Sequence, residues 1–171
     1  MMNSADALQT RPVRPAPTPL VDISNIDLSQ RMLTREDLEQ WLPHRGVMSL
    51  LDGVIWHSEN FSQGVAIKPV RDDEFWTAGH FPERPMLPGV LMIEAGAQLS
   101  SILFHGRSQD PRIAGFTRVK NAIFREQVHP GSDLLLLARE VKYNPRRFIC
   151  DIQGFVKDRL AFEARIVGMM L

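Results

Sequence analysis

The sequence holds one cysteine, Cys150. An internal disulfide is therefore excluded, and the lone thiol suits a reducing, cytoplasmic setting. Cys150 stands in an alternating apolar run and reads as a core residue. No stretch reaches the roughly 18 apolar residues of a membrane-spanning helix, and the first residues lack the apolar core of a secretory signal. Neither sign of charge is in excess: 20 Lys and Arg stand against 20 Asp and Glu. No global field points to nucleic acid or to an anionic membrane. Tyr143 is the only tyrosine; it and the tryptophans read as packing residues. His44, His57, His105 and His129 are scattered without metal-ligand spacing and read as structural or surface histidines. What is present suits one globular domain: 171 residues, 44 % hydrophobic and 23 % charged, enough to enclose a core.

The chain divides unequally. Residues 1–30 are polar and carry Pro12, Pro15, Pro17 and Pro19. That composition cannot build a core and predicts a flexible, extended arm. Residues 31–171 carry the periodic patterns of a single domain, without an internal repeat.

Thr34, followed by Asp37 at the third position, predicts a short capped helix through Leu38 and Trp41 that stops before Pro43. Residues 47–57 and 61–68 predict strands. Residues 89–105 predict the one long helix, with Gly106 as its stop. Strand-like runs follow near 112–120, 122–128, 133–143, 147–157 and 160–169. In the last, Leu160, Phe162, Ala164 and Ile166 should face one way, with Glu163 and Arg165 facing the other. The segments 129–133 and 157–159 read as turns. One long helix among antiparallel strands is an α+β pattern.

The long helix has almost no polar face: Val90, Leu91, Met92, Ile93, Ala95, Ala97, Leu99, Ile102, Leu103 and Phe104. Such a helix should be buried on all sides, as a curved sheet wrapped around it would achieve. Glu94 is the exception, and a carboxylate in an apolar helix is costly unless satisfied. Gln98 shares its face at i+4. The helix mouth offers its own chemistry. Pro88 has no N–H, so Gly89 supplies the first unpaired donor at the positive end of the dipole, with no side chain in the way. His80 stands at the entrance of the proline-stiffened loop that feeds the helix. A base at His80, an acid at Glu94 and an electrophilic amide at Gly89 suit proton removal next to a carbonyl, then loss of a β-hydroxyl. For Glu94 to donate, its apolar neighbours should keep part of it protonated near neutral pH.

These residues carry a family pattern: His80-Phe81-Pro82, Pro88-Gly89-Val90 and Glu94-Ala95-Gly96-Ala97-Gln98. The sequence resembles the β-hydroxyacyl-acyl carrier protein dehydratases of fatty acid synthesis, of the FabZ type. Leu42-Pro43-His44-Arg45 with Leu50-Leu51-Asp52 is similar to the family's N-terminal signature. Phe116 through Phe124 is similar to the strand after the helix, and Val128 through Ser132 to its turn. The resemblance spans about residues 34–171.

The resemblance implies a hotdog fold, in which an antiparallel sheet wraps the long helix. It implies a homodimer with active sites at the interface, often assembled into a trimer of dimers, and an acyl carrier protein as partner. His80 would be the catalytic histidine and Glu94, contributed by the other subunit, the catalytic carboxylate. The related FabA type carries aspartate there, so Glu94 favours FabZ. The Gly89 amide would hold the thioester carbonyl, with Gln98 orienting Glu94 or a water. Phe81, Pro88 and Val90 would complete the substrate site. The implied reaction converts a 3-hydroxyacyl thioester to the trans-2-enoyl thioester and water. No metal or redox cofactor is called for, because the thioester itself acidifies the proton. Arg107, Arg112, Arg118, Lys120, Arg125, Arg146 and Arg147 read either as solvated strand faces or as a dock for the acidic carrier.

Two departures bear on the acyl tunnel. Gly46-Val47-Met48 replaces an aromatic residue and Pro-Phe, and Ala114-Gly115-Phe116 lacks the family's tyrosine. Such changes are what a paralogue serving another acyl pathway, such as polyketide or lipid synthesis, would carry. A hotdog thioesterase, a hydratase of coenzyme A esters and a non-catalytic acyl-binding protein are the rival classes.

Overall fold

The computed structural model describes residues 17–109 and 112–171. Strand β1 (Leu33–Thr34) leads into helix α1 (Arg35–Trp41), then β2 (Gly53–His57) and β3 (Gln63–Pro69). Helix α2 (Gly89–Ser108) follows, and then β4 (Ala114–Phe124), β5 (Asp133–Asn144), β6 (Arg147–Val156) and β7 (Arg159–Met170). The strands form one 7-stranded sheet in the order β1-β2-β3-β5-β6-β7-β4, antiparallel at every pairing. Helix α2 packs on β3, β5, β6 and β7. This is the expected α+β hotdog arrangement.

Local chemistry accounts for the elements. Thr34 caps α1 and Asp37 returns the bond, closing the capping box. From Ala95 to Phe104 every residue of α2 is buried, and three polar residues, Gln98, Ser100 and Ser101, are enclosed with the apolar ones. The expectation of burial along the whole helix fails at its first turn, where Val90 is 70 % exposed. Gly106 is not the stop either. The helix runs on to Ser108, and Gln109 turns left-handed at φ 54°. A side chain at Gly106 would collide with the Phe61 ring, so that glycine serves packing.

Other boundaries shift for identifiable reasons. Residues Gly46–Met48 form a single 3₁₀ turn and not the start of β2. The two strands expected over 112–128 are one edge strand, β4, whose register breaks between Lys120 and Ile123 around Asn121, at φ 52°. In β7 the alternation begins at Phe162. A register shift opposite Gly154 and Phe155 sends Leu160 to the other face of the sheet.

That outer face corrects the reading of the N-terminal arm. Val21 is 2 % exposed and packs with Ile55, Val65, Leu137, Phe155 and Leu160. Leu20, Ile23 and Ile26 lie against the same cluster, and the Leu20 N–H donates to Gln153 at 2.9 Å. The apolar residues between the prolines and residue 31 are enough to seat residues 20–26 on the sheet. The flexibility expected of residues 1–16 falls outside the described residues.

Candidate active site

The loop carrying His80 is fixed from below by a buried ion pair. Lys68, on β3 and 2 % exposed, donates to both oxygens of Glu74 at 2.9 and 2.8 Å. Glu74 also accepts from the Arg71 N–H and from the Trp76 indole at 2.9 Å. Burial pushes the Glu74 carboxyl up, but these hydrogen bonds outweigh it and hold the group below the usual carboxylate range. Trp76 then presents its carbonyl to the His80 N–H at 2.8 Å. Beyond His80, the Leu87 N–H donates to Val128 O at 2.7 Å, and Pro85 O lies 2.8 Å from His129 Nδ1. His129, read from sequence as structural, clamps this loop.

The His80 ring stacks on Phe81, with centroids 4.3 Å apart. Its Nδ1 lies 2.9 Å from Met86 O. A carbonyl only accepts, so Nδ1 carries the hydrogen and Nε2 keeps its lone pair. His80 is thereby set up as a base at Nε2.

Glu94 lies one turn into α2, beside Gln98, which is 1 % exposed. Gln98 Nε2 donates to Glu94 Oε1 at 3.0 Å and to Met48 O at 2.8 Å. Gln98 Oε1 accepts from the Leu50 N–H at 3.1 Å. One amide thus ties the acid to the 42–50 loop. The same Glu94 oxygen is 3.1 Å from His44 Nε2. Burial, the largest influence on Glu94, pushes its pKa up. The hydrogen bonds from His44 and Gln98 outweigh that and bring it below the ordinary glutamate value. The sequence-based expectation of a carboxyl kept partly protonated by its apolar neighbours is therefore corrected for the single chain. His44, read as structural or surface, is the residue that reasoning missed. Its signal was present in Leu42-Pro43-His44-Arg45, but nothing in the spacing tied that motif to Glu94.

At the helix mouth, Pro88 is the N-terminal cap and makes no side-chain cap bond. The Gly89 N–H is the first donor of the helix and has no acceptor within it. A Cβ on Gly89 would lie 2.7 Å from the Phe124 ring of β4. Phe81 and Val90 are exposed around this mouth. The structure gathers His44, Glu94 and Gln98 into one hydrogen-bonded group and holds His80 on a separate loop. Among the described residues of one chain, no hydrogen bond or ion pair joins His80 to Glu94. Of the basic residues singled out, Arg107 pairs with Glu140 and lies over the Tyr143 ring, and Arg125 pairs with Glu163.

Comparison with known proteins gives these features a context. Residues 42–165 match the family model described as a FabA-like domain. A protein of Anoxybacillus flavithermus named 3-hydroxyacyl-[acyl-carrier-protein] dehydratase FabZ is 35 % identical over 113 residues, covering 66 % of this chain and 79 % of its own. A Coxiella burnetii protein of the same name is 36 % identical over 135 residues, covering 77 % and 94 %. Among solved structures, the dehydratase heterocomplex ApeI:P of Xenorhabdus doucetiae superposes with a TM-score of 0.67 at 17 % identity, over 78 % of this chain and 90 % of that one. A Streptococcus mutans protein bound to acetyl-CoA superposes at 0.54 and 11 %, over 69 % and 86 %. At such identities these two structures speak for the fold alone.

Proposed function

The chain belongs to the FabA-like family, and from that premise we propose that it is a 3-hydroxyacyl-[acyl-carrier-protein] dehydratase of fatty acid biosynthesis, a hydro-lyase. The observation that carries this is the helix mouth. A histidine with Nδ1 tied to a carbonyl, a glycine amide with no acceptor inside its helix and a carboxyl one turn further in are the three groups this elimination uses. The relatives named FabZ support the same reaction.

In this proposal the active unit is a homodimer, and His80 of one protomer faces Glu94 of its partner. The edge of β4 supports that association. Among the described residues it has a neighbour, β7, on one side only, and it exposes Phe116, Val119, Ile123 and Phe124. An unpaired apolar edge of this kind is a template for a second strand. A trimer of such dimers is compatible with the same edge pairing.

The chemistry follows from the placement. His80 Nε2 removes the proton from the carbon next to the thioester carbonyl. The Gly89 N–H, at the positive end of the α2 dipole, stabilises the enolate oxygen that develops; one such donor contributes about 10²–10³ in rate. Glu94 Oε2, the oxygen that neither His44 nor Gln98 engages, delivers a proton to the departing 3-hydroxyl. Docking of the partner and the acyl chain strips further water from Glu94. Desolvation, already the largest influence on it, then lifts the carboxyl towards its donor form. The acyl group arrives on the phosphopantetheine arm of an acyl carrier protein, with the exposed cations of β4 as the attracting surface.

The test is turnover of 3-hydroxyacyl carrier protein substrates of several chain lengths, followed by the ultraviolet absorbance of the enoyl thioester. Enoyl product with the unmutated chain, abolished by His80→Ala, is the expected result. Release of free thiol without enoyl product would instead identify a thioesterase.

A further inference from the structure

We infer that His44 is a positioning residue for Glu94: its Nε2–H donates to Oε1, and with Gln98 it leaves Oε2 as the only oxygen free for the substrate. The inference deepens the dehydratase reading and rests on it for the identity of the substrate. The observations that carry it are geometric.

His44 Nε2 and Gln98 Nε2 both reach the same atom, Glu94 Oε1, at 3.1 and 3.0 Å. Two donors on one carboxylate oxygen fix the plane of the group and place any bound proton on the other oxygen. The second ring nitrogen, His44 Nδ1, is buried and has no hydrogen-bond partner among the described residues. A buried N–H without an acceptor is costly, more so when charged. The bare nitrogen therefore belongs at Nδ1 and the hydrogen at Nε2, which makes His44 a donor to Glu94.

The loop presenting His44 is held independently of the ring. Arg45 donates to Leu42 O at 2.7 Å, to His44 O at 2.8 Å and to Glu39 O at 2.9 Å, closing the end of α1. Gln98 grips Met48 O and the Leu50 N–H on the far side. The imidazole is thus carried on a loop anchored at both ends, and the acid is held to that loop. Among the described residues, His44 is the ionisable group that touches Glu94; Gln98 and the backbone it binds are neutral. Across the proposed dimer interface the ionisable group is His80 of the second copy. By donating to the carboxylate, His44 stabilises the charge that Glu94 acquires as its proton leaves, and it lowers the pKa of the group.

Two kinds of variant separate this role from simple packing. In His44→Asn the amide is too short to reach Oε1, and His44→Phe keeps the volume without a donor. In His44→Gln the amide nitrogen takes the place of Nε2. Glu94 is titrated by carbon NMR of its carboxyl in each protein, and kcat and KM are measured across pH. In the donor-less variants the Glu94 titration and its limb of the kcat profile should move up by about one pH unit or more, as the loss of a charge-assisted hydrogen bond requires. There kcat per protonated Glu94 should fall roughly ten- to hundredfold with KM little changed, because the carboxylate left behind has lost a charge-assisted hydrogen bond and its fixed plane. His44→Gln should restore both. An unshifted Glu94 titration in a folded donor-less variant overturns the inference, as does equal loss in the Gln and Phe variants. A third readout needs no variant: nitrogen NMR of the unmutated protein should show His44 protonated at Nε2 and bare at Nδ1, and the opposite tautomer overturns the assignment. Lack of turnover by the unmutated chain would sink the dehydratase reading, while the two spectra would still decide whether His44 donates to Glu94.

Discussion

Gly89 and Phe124 occupy one corner of the molecule. The helix mouth is closed on that side by an aromatic ring of the edge strand, with no room for a methyl group between them. The proposed oxyanion donor and the proposed dimer edge are therefore in direct contact.

Gly89→Ala is expected to displace the Phe124 ring and misplace the first amide of α2. Turnover of a 3-hydroxyacyl carrier protein should fall by about 10²–10³, the contribution of one oxyanion donor. Phe124→Ala in the same chain should recover part of the loss by making room. Steady-state kinetics of the single and double variants checks both.

Val119→Lys places a charge on the exposed edge of β4 and should block strand pairing. Sedimentation should then report a monomer at concentrations where the unmutated chain associates. Because each proposed site draws on both protomers, activity should disappear together with the dimer. A monomer that retains turnover would contradict the shared site.

Lys68→Met removes the cation that hydrogen-bonds Glu74 beneath the His80 loop and leaves the Arg71 N–H and the Trp76 indole as its donors, with the Arg71 guanidinium as a remaining cation nearby. Breaking a buried pair from one side costs about 3–5 kcal/mol, and urea unfolding should show a loss of that order. Glu74→Gln breaks the same pair from the other side and strands the more deeply buried Lys68 cation, so its cost should be of the same order.

The lowered pKa of Glu94 fixes the sign of a pH effect. The unfolded chain binds a proton at this position more readily than the folded one. The hydrogen-bonded carboxylate therefore stabilises the fold above the usual glutamate value of about 4.3, and that stabilisation is lost as pH falls through the lower folded value. Glu94→Gln removes this component. Urea unfolding at pH 6 and below pH 4 should show the unmutated chain losing more stability on acidification than the variant.

Burial pushes the Cys150 thiol up to about 12. It should resist iodoacetamide at pH 8 in the folded protein and react once urea unfolds the chain. Mass spectrometry reads the difference.

Much of this architecture was legible in the sequence because the signals were local. Thr34 and Asp37 announced α1, and apolar residues on every side of the segment from Val90 to Phe104 announced a helix enclosed by its sheet. His80, Gly89, Glu94 and Gln98 stood out because apolar or proline-rich surroundings isolated them. What stayed hidden depends on contacts between distant segments. Gly106 looked like a stop until the Phe61 ring came to lie against it. Leu160 changed faces because of a register shift set by the neighbouring strand. Residues 20–26 looked too polar in company with residues 1–16 to fold, yet their few apolar side chains meet a ready apolar surface. The largest omission was His44, whose meaning depends on a carboxylate fifty positions away.

Gln98 grips the 42–50 loop by the carbonyl of Met48 and the amide of Leu50. None of those bonds involves the side chains of Gly46, Val47 or Met48, which differ from the family pattern. Gly46 is held by its left-handed backbone at φ 58°, but Val47 and Met48 can be exchanged without moving the acid. Val47 and Met48 are exposed, and laboratory libraries confined to those two positions leave the proposed proton chemistry in place.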